Sequence, residues 1–138
     1  MQKARRAARE LALNIIYQVD VAGIPLKEAI ETAREHVEAE AEVFDHAELL
    51  AKGTLKHIRE IDQNIRRLSV DWPPDRQPAV DRNIIRMAMF EMTHVETTPP
   101  VVVVNEAIEL AKKFSTEDSG KFINGVLAAY LREQESKK

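Results

Sequence analysis

The chain has 138 residues, with 20 Lys and Arg against 23 Asp and Glu, and a formal net charge of −3. Apolar residues make up 44% and charged residues 31%, which is typical of one folded domain, predicted here over residues 1–138. The absence of cysteine excludes disulfide bonds, cysteine zinc sites and iron–sulfur clusters. It also suits the reducing cytoplasm, where we expect the protein to act. An acidic total argues, at first, against nucleic-acid binding.

Proline and glycine residues divide the chain into stretches whose apolar residues recur every three or four positions, which is the helical period. Val101 to Val104 could form a strand, but no second strand-like run exists to pair with it. No apolar run approaches the ~20 residues of a membrane span, so we expect no membrane association. The fold class predicted is all-α. In chain order, the predicted helices cover residues 4–19, 26–37, 45–68, 79–94, 101–111 and 123–131.

Two of these helices have distinctive patterns. The third is predicted to begin at Asp45, with Glu48 three residues later, which is an Asp variant of a capping box. The fourth is apolar almost all round and leaves only Arg82, Arg86 and Thr93 on a polar strip. A helix of that kind is surrounded by neighbours, so we predict that the fourth helix is central.

Two aromatic residues lie away from the apolar stripes of their helices. At 100° per residue, Tyr17 falls opposite the stripe of the first helix, on a face shared with Arg6 and Leu13. It is either an ordinary exposed tyrosine or part of a binding face for a protein or RNA. Phe122 falls at the edge of the stripe of the last helix, beside Lys121. It is either peripheral core or a platform on which a base stacks.

Catalytic and metal-binding patterns are missing from the sequence. His36, His46 and His94 show no ligand-like spacing with carboxylates, so we expect no metal site. No phosphate loop, nucleophile elbow or dinucleotide fingerprint occurs, and we expect neither catalysis nor a cofactor. His57 falls on the apolar stripe of the third helix and is predicted to be partly buried. Glu91 falls among the apolar residues of the fourth helix and is predicted to be a structural polar anchor.

The strongest functional feature is the basic start of the chain. Lys3, Arg5, Arg6 and Arg9 give the first nine residues a charge of +4, so the remaining 129 residues sum to −7. The spacing of three and four predicts a cationic ridge at one end of the first helix. It is either a solvated terminus or a phosphate-contacting surface, which the free amides of the helix end would assist. The division of charge reverses the inference drawn from the total.

Three segments then resemble the signature of the NusB transcription antitermination family. The most specific lies in the last third of the chain, where residues 104–114 read VNEAIELAKKF and residues 116–127 read TEDSGKFINGVL. The other two are RRAARELALNIIY at 5–17 and VDRNIIRMA at 80–88. The resemblance spans the chain from the first helix to about Leu131 and is weakest in the acidic second helix.

The resemblance implies an all-helical domain of two packed three-helix subbundles without enzymatic activity or cofactors. It implies binding of the boxA segment of nascent RNA together with NusE, which is also a protein of the small ribosomal subunit. With other Nus factors, such a protein keeps RNA polymerase elongating through terminators, notably in ribosomal RNA operons. The family's sites map onto two sets of residues here. RNA binding is expected at Lys3, Arg5, Arg6, Arg9, Arg86, Glu117, Asp118, Lys121 and Phe122, and NusE binding at Tyr17 and Asp81.

Some features leave alternatives open. Ala7 replaces a basic residue found in some members, which is expected to weaken RNA binding without altering the class of ligand. Asn14, with its shorter side chain, stands where glutamine is common, so a contact with a base or the RNA backbone there stays open. A similar domain precedes a ribosomal RNA cytosine methyltransferase, which offers an alternative role as an RNA-positioning domain. Because no methyltransferase sequence follows within the 138 residues, that role requires a longer protein. A homodimer that buries the Tyr17 face is a third hypothesis for the free protein.

Overall fold

The computed structural model describes residues 2–137, which form seven α-helices, one short 3-10 helix and no β-strand. The prediction of an all-α fold is therefore confirmed. Met1 and Lys138, the ends of the predicted domain, lie outside the described residues. Within residues 2–137, no helix combines the length and apolar character needed to cross a membrane. The helices are α1 (Gln2–Ala22), α2 (Leu26–His36), α3 (Ala41–Lys56), α4 (Ile58–Leu68), α5 (Ala79–His94), α6 (Pro100–Phe114) and α7 (Glu117–Ser136), with the 3-10 helix at Pro74–Arg76.

The helices form two compact units, one ending at Lys56 and the other beginning at His57. This arrangement agrees with the predicted two subbundles, with one difference in the second. It contains four helices, because the predicted third helix is divided between the units. The first unit contains α1, α2 and α3, and the second contains α4, α5, α6 and α7.

Prolines set the start of three helices. Pro25, Pro78 and Pro99 precede α2, α5 and α6, each with φ between −53° and −59° and ψ near 140°. A proline at the start of a helix loses no hydrogen bond, because an N–H group at that position would have no acceptor within the helix. Gly23, with φ +68°, turns the chain between α1 and α2.

The predicted third helix differs from the structure at its start and in its middle. It begins at Ala41, so Asp45 is inside α3 and does not cap it. Its partner in the supposed capping box, Glu48, instead accepts a hydrogen bond from Lys52 Nζ at 3.0 Å. At His57 the backbone (φ −102°, ψ 16°) interrupts the helix, and α4 follows at once. The apolar stripe continues across the interruption, which is why the spacing alone predicts one helix.

The first unit packs through small side chains. The helix α1 contacts both α2 and α3. Alanines occupy much of the buried surface and allow the helix backbones to approach closely. The larger buried residues in this unit include Ile15, Ile16 and Leu50. The buried alanines are Ala8 and Ala12 on α1, Ala29 and Ala33 on α2, and Ala47 and Ala51 on α3.

The second unit is organised around α5, which contacts α4, α6 and α7. Nearly all of its residues from Asp81 to Glu91 are buried, which confirms the predicted central helix. Glu91 is only 1% exposed, as predicted for a polar anchor. The ring of His57 lies 6.0 Å from that of Phe90 on α5, and its side chain is 32% exposed, so its partial burial is confirmed.

Candidate nucleic-acid interface

The basic start of α1 does not form a single exposed ridge. Lys3 and Arg6 are exposed and Arg5 is half-buried, but Arg9 is only 4% exposed. The prediction that Arg9 belongs to an exposed cationic ridge is therefore wrong. The apolar stripe of α1 is wider than its alanines suggest, and it includes the position of Arg9. The exposed cations at this end are Lys3 and Arg6, with the half-buried Arg5 beside them.

Arg5 lies against α3 within the first unit. Its guanidinium forms a hydrogen bond with the ring of His46, with 2.7 Å between Nη1 and Nε2. The acidic Glu42 and Asp45 of α3 line the same shallow pocket. A ring nitrogen of an imidazole can accept such a bond through its lone pair. The contact orients Arg5 and leaves its charge at the surface.

Tyr17 lies about three turns beyond Arg5 on α1 and is 38% exposed, as its position off the apolar stripe predicts. The companion prediction for Leu13 is wrong, because Leu13 is only 5% exposed. The exposed face instead continues from Tyr17 to Val21, one turn later, which is 50% exposed. On the same helix, Asn14 accepts a hydrogen bond from Gln18 Nε2 at 2.6 Å, so its amide is oriented within the helix surface.

Asp81 lies inside the second unit rather than on its surface. It is 0% exposed, and its two carboxylate oxygens accept hydrogen bonds from the hydroxyls of Ser115 and Ser119, each at 2.7 Å. Thr116 caps α7 by accepting a hydrogen bond from the Ser119 amide at 3.0 Å. Asp81 therefore holds the α6–α7 turn in place. A direct contact between its carboxylate and a partner protein, as the resemblance implies, does not fit this geometry.

The α6–α7 turn displays the charged residues that the resemblance assigns to RNA. Glu117, Asp118 and Lys121 are all exposed in the first turns of α7. The two acidic side chains lie at the positive end of the helix dipole, which favours them there whether or not a ligand binds. Lys121 is the cation of this group and stands next to Phe122.

Arg86 is committed to a structural role in the second unit. Its Nε and Nη2 donate to the two carboxylate oxygens of Asp62 on α4 at 2.8 and 2.9 Å, and its Nη1 donates to Asn83 at 2.9 Å. Its side chain is 8% exposed. The two hydrogen bonds to Asp62 form a bidentate ion pair, which is a strong arrangement of an arginine and a carboxylate. Arg86 is thus buried although it lies on the polar strip of the helix, and these hydrogen bonds engage its Nε, Nη1 and Nη2 within the second unit.

Phe122 is half-buried, and the structure gives it a neighbour that spacing did not reveal. The ring of Trp72, from the loop after α4, packs edge to face with it at a centroid distance of 4.7 Å. The two rings line a shallow groove with Lys121. Trp72 is the only tryptophan of the chain and is 38% exposed. Its position among prolines was the available signal, but nothing in the helical periodicity connects it to Phe122.

The predicted site residues divide between the two units. Lys3, Arg5, Arg6 and Tyr17 belong to the first, and the α6–α7 turn with Lys121 and Phe122 belongs to the second. Among residues 2–137, the structure brings together no group of three or more side chains able to hold a metal ion. Both units present a small number of cations and aromatic rings at their surfaces. These features define an all-helical binding protein with a basic terminal helix.

Comparison with known proteins identifies its family. The NusB family model matches residues 6–132, and the chain belongs to the NusB family. The transcription antitermination protein NusB of Anaeromyxobacter dehalogenans is 44% identical over 128 residues, covering 92% of this chain and 89% of the relative. A chain in the crystal structure of a plectonemic RNA supercoil superposes with a TM-score of 0.90 at 29% identity, covering 98% and 99% of the two chains.

A further solved structure contains NusB together with a partner. The crystal structure of the antitermination factors NusB and NusE in complex with double-stranded RNA includes a chain that matches this one with a TM-score of 0.83. That chain is 31% identical, and the match covers 94% of this chain and 96% of the other.

Proposed function

We propose that this protein is a transcription antitermination factor that binds boxA RNA of nascent transcripts together with NusE. It acts in the cytoplasm, without catalysis, to promote processive elongation of ribosomal RNA operons. The observation that carries this proposal is the match, over nearly the whole chain, to NusB antitermination proteins and to a NusB–NusE–RNA complex. Other Nus factors and RNA polymerase complete the proposed assembly. The RNA in that complex is double-stranded, whereas we propose a single-stranded ligand.

The proposed roles follow the exposure of each side chain. Lys3, Arg5 and Arg6 contact phosphates, because their charges lie at the surface of the first unit. Lys121 contacts a phosphate beside Phe122, which stacks on a base, and Glu117 and Asp118 border that surface. Tyr17 contacts NusE, since exposed tyrosines are frequent anchors of protein interfaces.

Three of the predicted site residues lie in the interior of the protein, and we propose that they act indirectly. Arg9 and Arg86 are nearly buried, and Asp81 accepts two hydroxyl hydrogen bonds in the interior of the second unit. We assign to them the positioning of the helices and of the α6–α7 turn. The alternative role in a methyltransferase is not favoured, because the NusB relative from Anaeromyxobacter dehalogenans is matched over 89% of its own length.

The test is the salt dependence of RNA affinity. For single-stranded RNA, each neutralised phosphate contributes about 0.7 to the slope of log affinity against log salt concentration. The Arg5→Ala, Arg6→Ala double variant should therefore weaken binding of a boxA oligonucleotide and flatten the slope by about 1.4. The matched control is Lys27→Ala, Lys56→Ala, which removes the same charge from exposed positions elsewhere in the first unit.

The outcomes are distinct. Equal slopes for the double variant and the wild type would rule out phosphate contact by the start of α1. Equal losses in the double variant and its control would indicate a general effect of charge rather than a site. Light scattering with and without NusE then distinguishes a heterodimer that uses the Tyr17 face from a homodimer of the free protein.

A further inference from the structure

The aromatic pair beside α7 contains a residue to which the roles above give no function. Trp72 lies in the loop after α4, and its ring meets that of Phe122 at an interplanar angle of 66°. We propose that Trp72 is a second stacking surface for an unpaired RNA base and that it acts together with Phe122. This inference rests on the proposed RNA binding and adds to it a residue and a location, the groove lined by Trp72, Phe122 and Lys121.

The exposure of Trp72 favours ligand contact over packing. Its side chain is 38% exposed, although tryptophan has more apolar surface to bury than any other residue. Its indole N–H has no hydrogen-bond acceptor among residues 2–137. A tryptophan that serves only the core usually finds such an acceptor. An edge-to-face pair also leaves ring faces that the partner ring does not cover, and a base can stack on them.

The backbone around Trp72 is held rigidly. The Trp72 amide donates to the carbonyl of Ser69 at 3.0 Å, and Gln77 Nε2 donates to the carbonyl of Trp72 at 2.8 Å. Pro73 and Pro74 follow directly and restrict the chain further. A side chain on a rigid loop loses little conformational entropy when it binds, so the ring is arranged for a ligand before the ligand arrives.

The charges of the groove favour a base over an isolated phosphate. Lys121 and Asp71 both line it and have opposite sign, so the groove does not concentrate positive charge. A nucleobase has hydrogen-bond donors and acceptors on its edges and two apolar faces, which suits rings flanked by one cation and one anion. Val70, which is 76% exposed, extends the apolar wall. Lys121 is then placed to contact the phosphate next to the stacked base.

Intrinsic fluorescence tests this directly, because Trp72 is the only tryptophan in the chain. Stacking of a base on its indole should quench the emission of the wild-type protein as a boxA RNA oligonucleotide is added. The same oligonucleotide with abasic positions, introduced one at a time, should lose the quenching at one position. Quenching that is identical for every abasic RNA would overturn the proposal.

Two substitutions separate stacking from apolar contact. Trp72→Leu keeps an apolar side chain without a ring and should weaken RNA binding by about 5-fold or more. Trp72→Phe keeps a ring and should bind within about 3-fold of the wild type, since Phe also stacks. Neither should change the slope of affinity against salt concentration, because Trp72 contacts no phosphate. Thermal unfolding of both variants shows whether a loss of binding reflects a loss of fold, and the wild-type fluorescence titration is independent of that.

The failure of this inference differs from the failure of the proposed function. One outcome supports the function alone: the wild type binds boxA RNA, the Arg5→Ala, Arg6→Ala variant binds it weakly, and Trp72→Leu binds it normally. The proposed function then stands, and the proposed role of Trp72 is wrong. If Trp72→Leu loses NusE binding instead, the groove contacts protein and the inference is again overturned. If the wild type does not bind RNA at all, both proposals are wrong.

Discussion

The two units of this protein expose the residues proposed for binding in different ways. In the first unit, Arg6 and Tyr17 stand on the surface of a helix whose packing is largely provided by alanines and other apolar residues. In the second unit, Lys121 and Phe122 follow a turn that is held by the buried carboxylate of Asp81. The difference teaches that surface substitutions in the first unit report on binding alone. In the second unit, the interior polar residues affect binding only by way of the fold.

The largest effect is expected from Arg86→Ala. It leaves the carboxylate of Asp62, 17% exposed, without its bidentate partner, and breaking a buried ion pair costs about 3–5 kcal/mol of unfolding free energy. The matched control is Arg34→Ala in the first unit, where side chains 41% and 74% exposed form the pair with Asp45. Its expected cost is much smaller, because an ion pair between side chains exposed to water contributes little to stability. Urea unfolding of both variants measures this contrast, and similar losses would remove the difference between the units.

Asp81→Ala is expected to have the next largest effect. It removes the acceptor of two buried hydroxyl hydrogen bonds, and hydrogen bonds to charged groups contribute about 1.5–3 kcal/mol each. Two hydrogen bonds are lost, but the two serine hydroxyls can partly replace them by bonding to each other. We therefore expect the free energy of unfolding to fall by about 2–4 kcal/mol in total. The control Asp75→Ala alters an exposed residue of the same unit and should change stability by less than about 0.5 kcal/mol.

The Asp81 variant also tests how the turn reaches function. RNA affinity should fall only as far as the α6–α7 turn loses order, which hydrogen exchange of the Ser119 amide reports. A variant that keeps normal exchange protection and stability, yet fails to bind NusE, would show that Asp81 contacts the partner after all.

Tyr17→Ala should affect binding without affecting the fold. Loss of an aromatic anchor at an interface costs about 2 kcal/mol, or about 30-fold in affinity for NusE. Stability should change by less than about 0.5 kcal/mol, because the side chain is partly exposed. Val21→Ala, one turn away on the same exposed face, measures how far the interface extends. Calorimetric titration with NusE decides, and unchanged affinity would exclude Tyr17 from the interface.

The smallest effect is a pH dependence in the second unit. Burial, followed by the charge of His57, lowers the pKa of His94 in the folded protein. The two rings pack edge to face at 4.3 Å. Since protonation is easier in the unfolded chain, with a histidine pKa of about 6.5, stability is highest above that value. It should decline as pH falls from there toward the folded pKa.

A variant checks this contribution. His94→Gln should lessen the decline in stability between pH 7 and pH 5, as measured by urea unfolding at several pH values. The effect is small because neighbouring side chains desolvate the His94 ring only in part, and the residue remains exposed to water. An unchanged pH dependence would show that other groups cause the decline.

Much of the fold could be predicted because helices leave local signals. Periodicity and prolines locate the helices, and the apolar surround of the fourth predicted helix identifies α5 as central. The interruption at His57 could not be predicted, since neither proline nor glycine marks it and the stripe continues across it. Tyr17 was correctly predicted to be exposed, because a residue opposite a stripe faces away from the helix's own partners.

The burial and the partners of the charged residues were harder to predict. Arg86 pairs with Asp62, 24 residues away, and Asp81 with serines 34 and 38 residues away. Helical periodicity assigns charged side chains to the solvent-exposed face. It contains no information about a hydrogen-bond partner that is distant in the sequence. Trp72 was missed for the same reason, since its contact with Phe122 joins a loop to a helix far along the chain.

The sequence by itself therefore determined the helical class, the family and the concentration of positive charge at the start of the chain. These depend on local spacing and composition, which helix geometry translates directly into structure. Only the tertiary structure decided which charges are exposed, which are buried, and which aromatic rings meet. Desolvation makes a buried charge acceptable only beside its partner, and that partner comes from another helix.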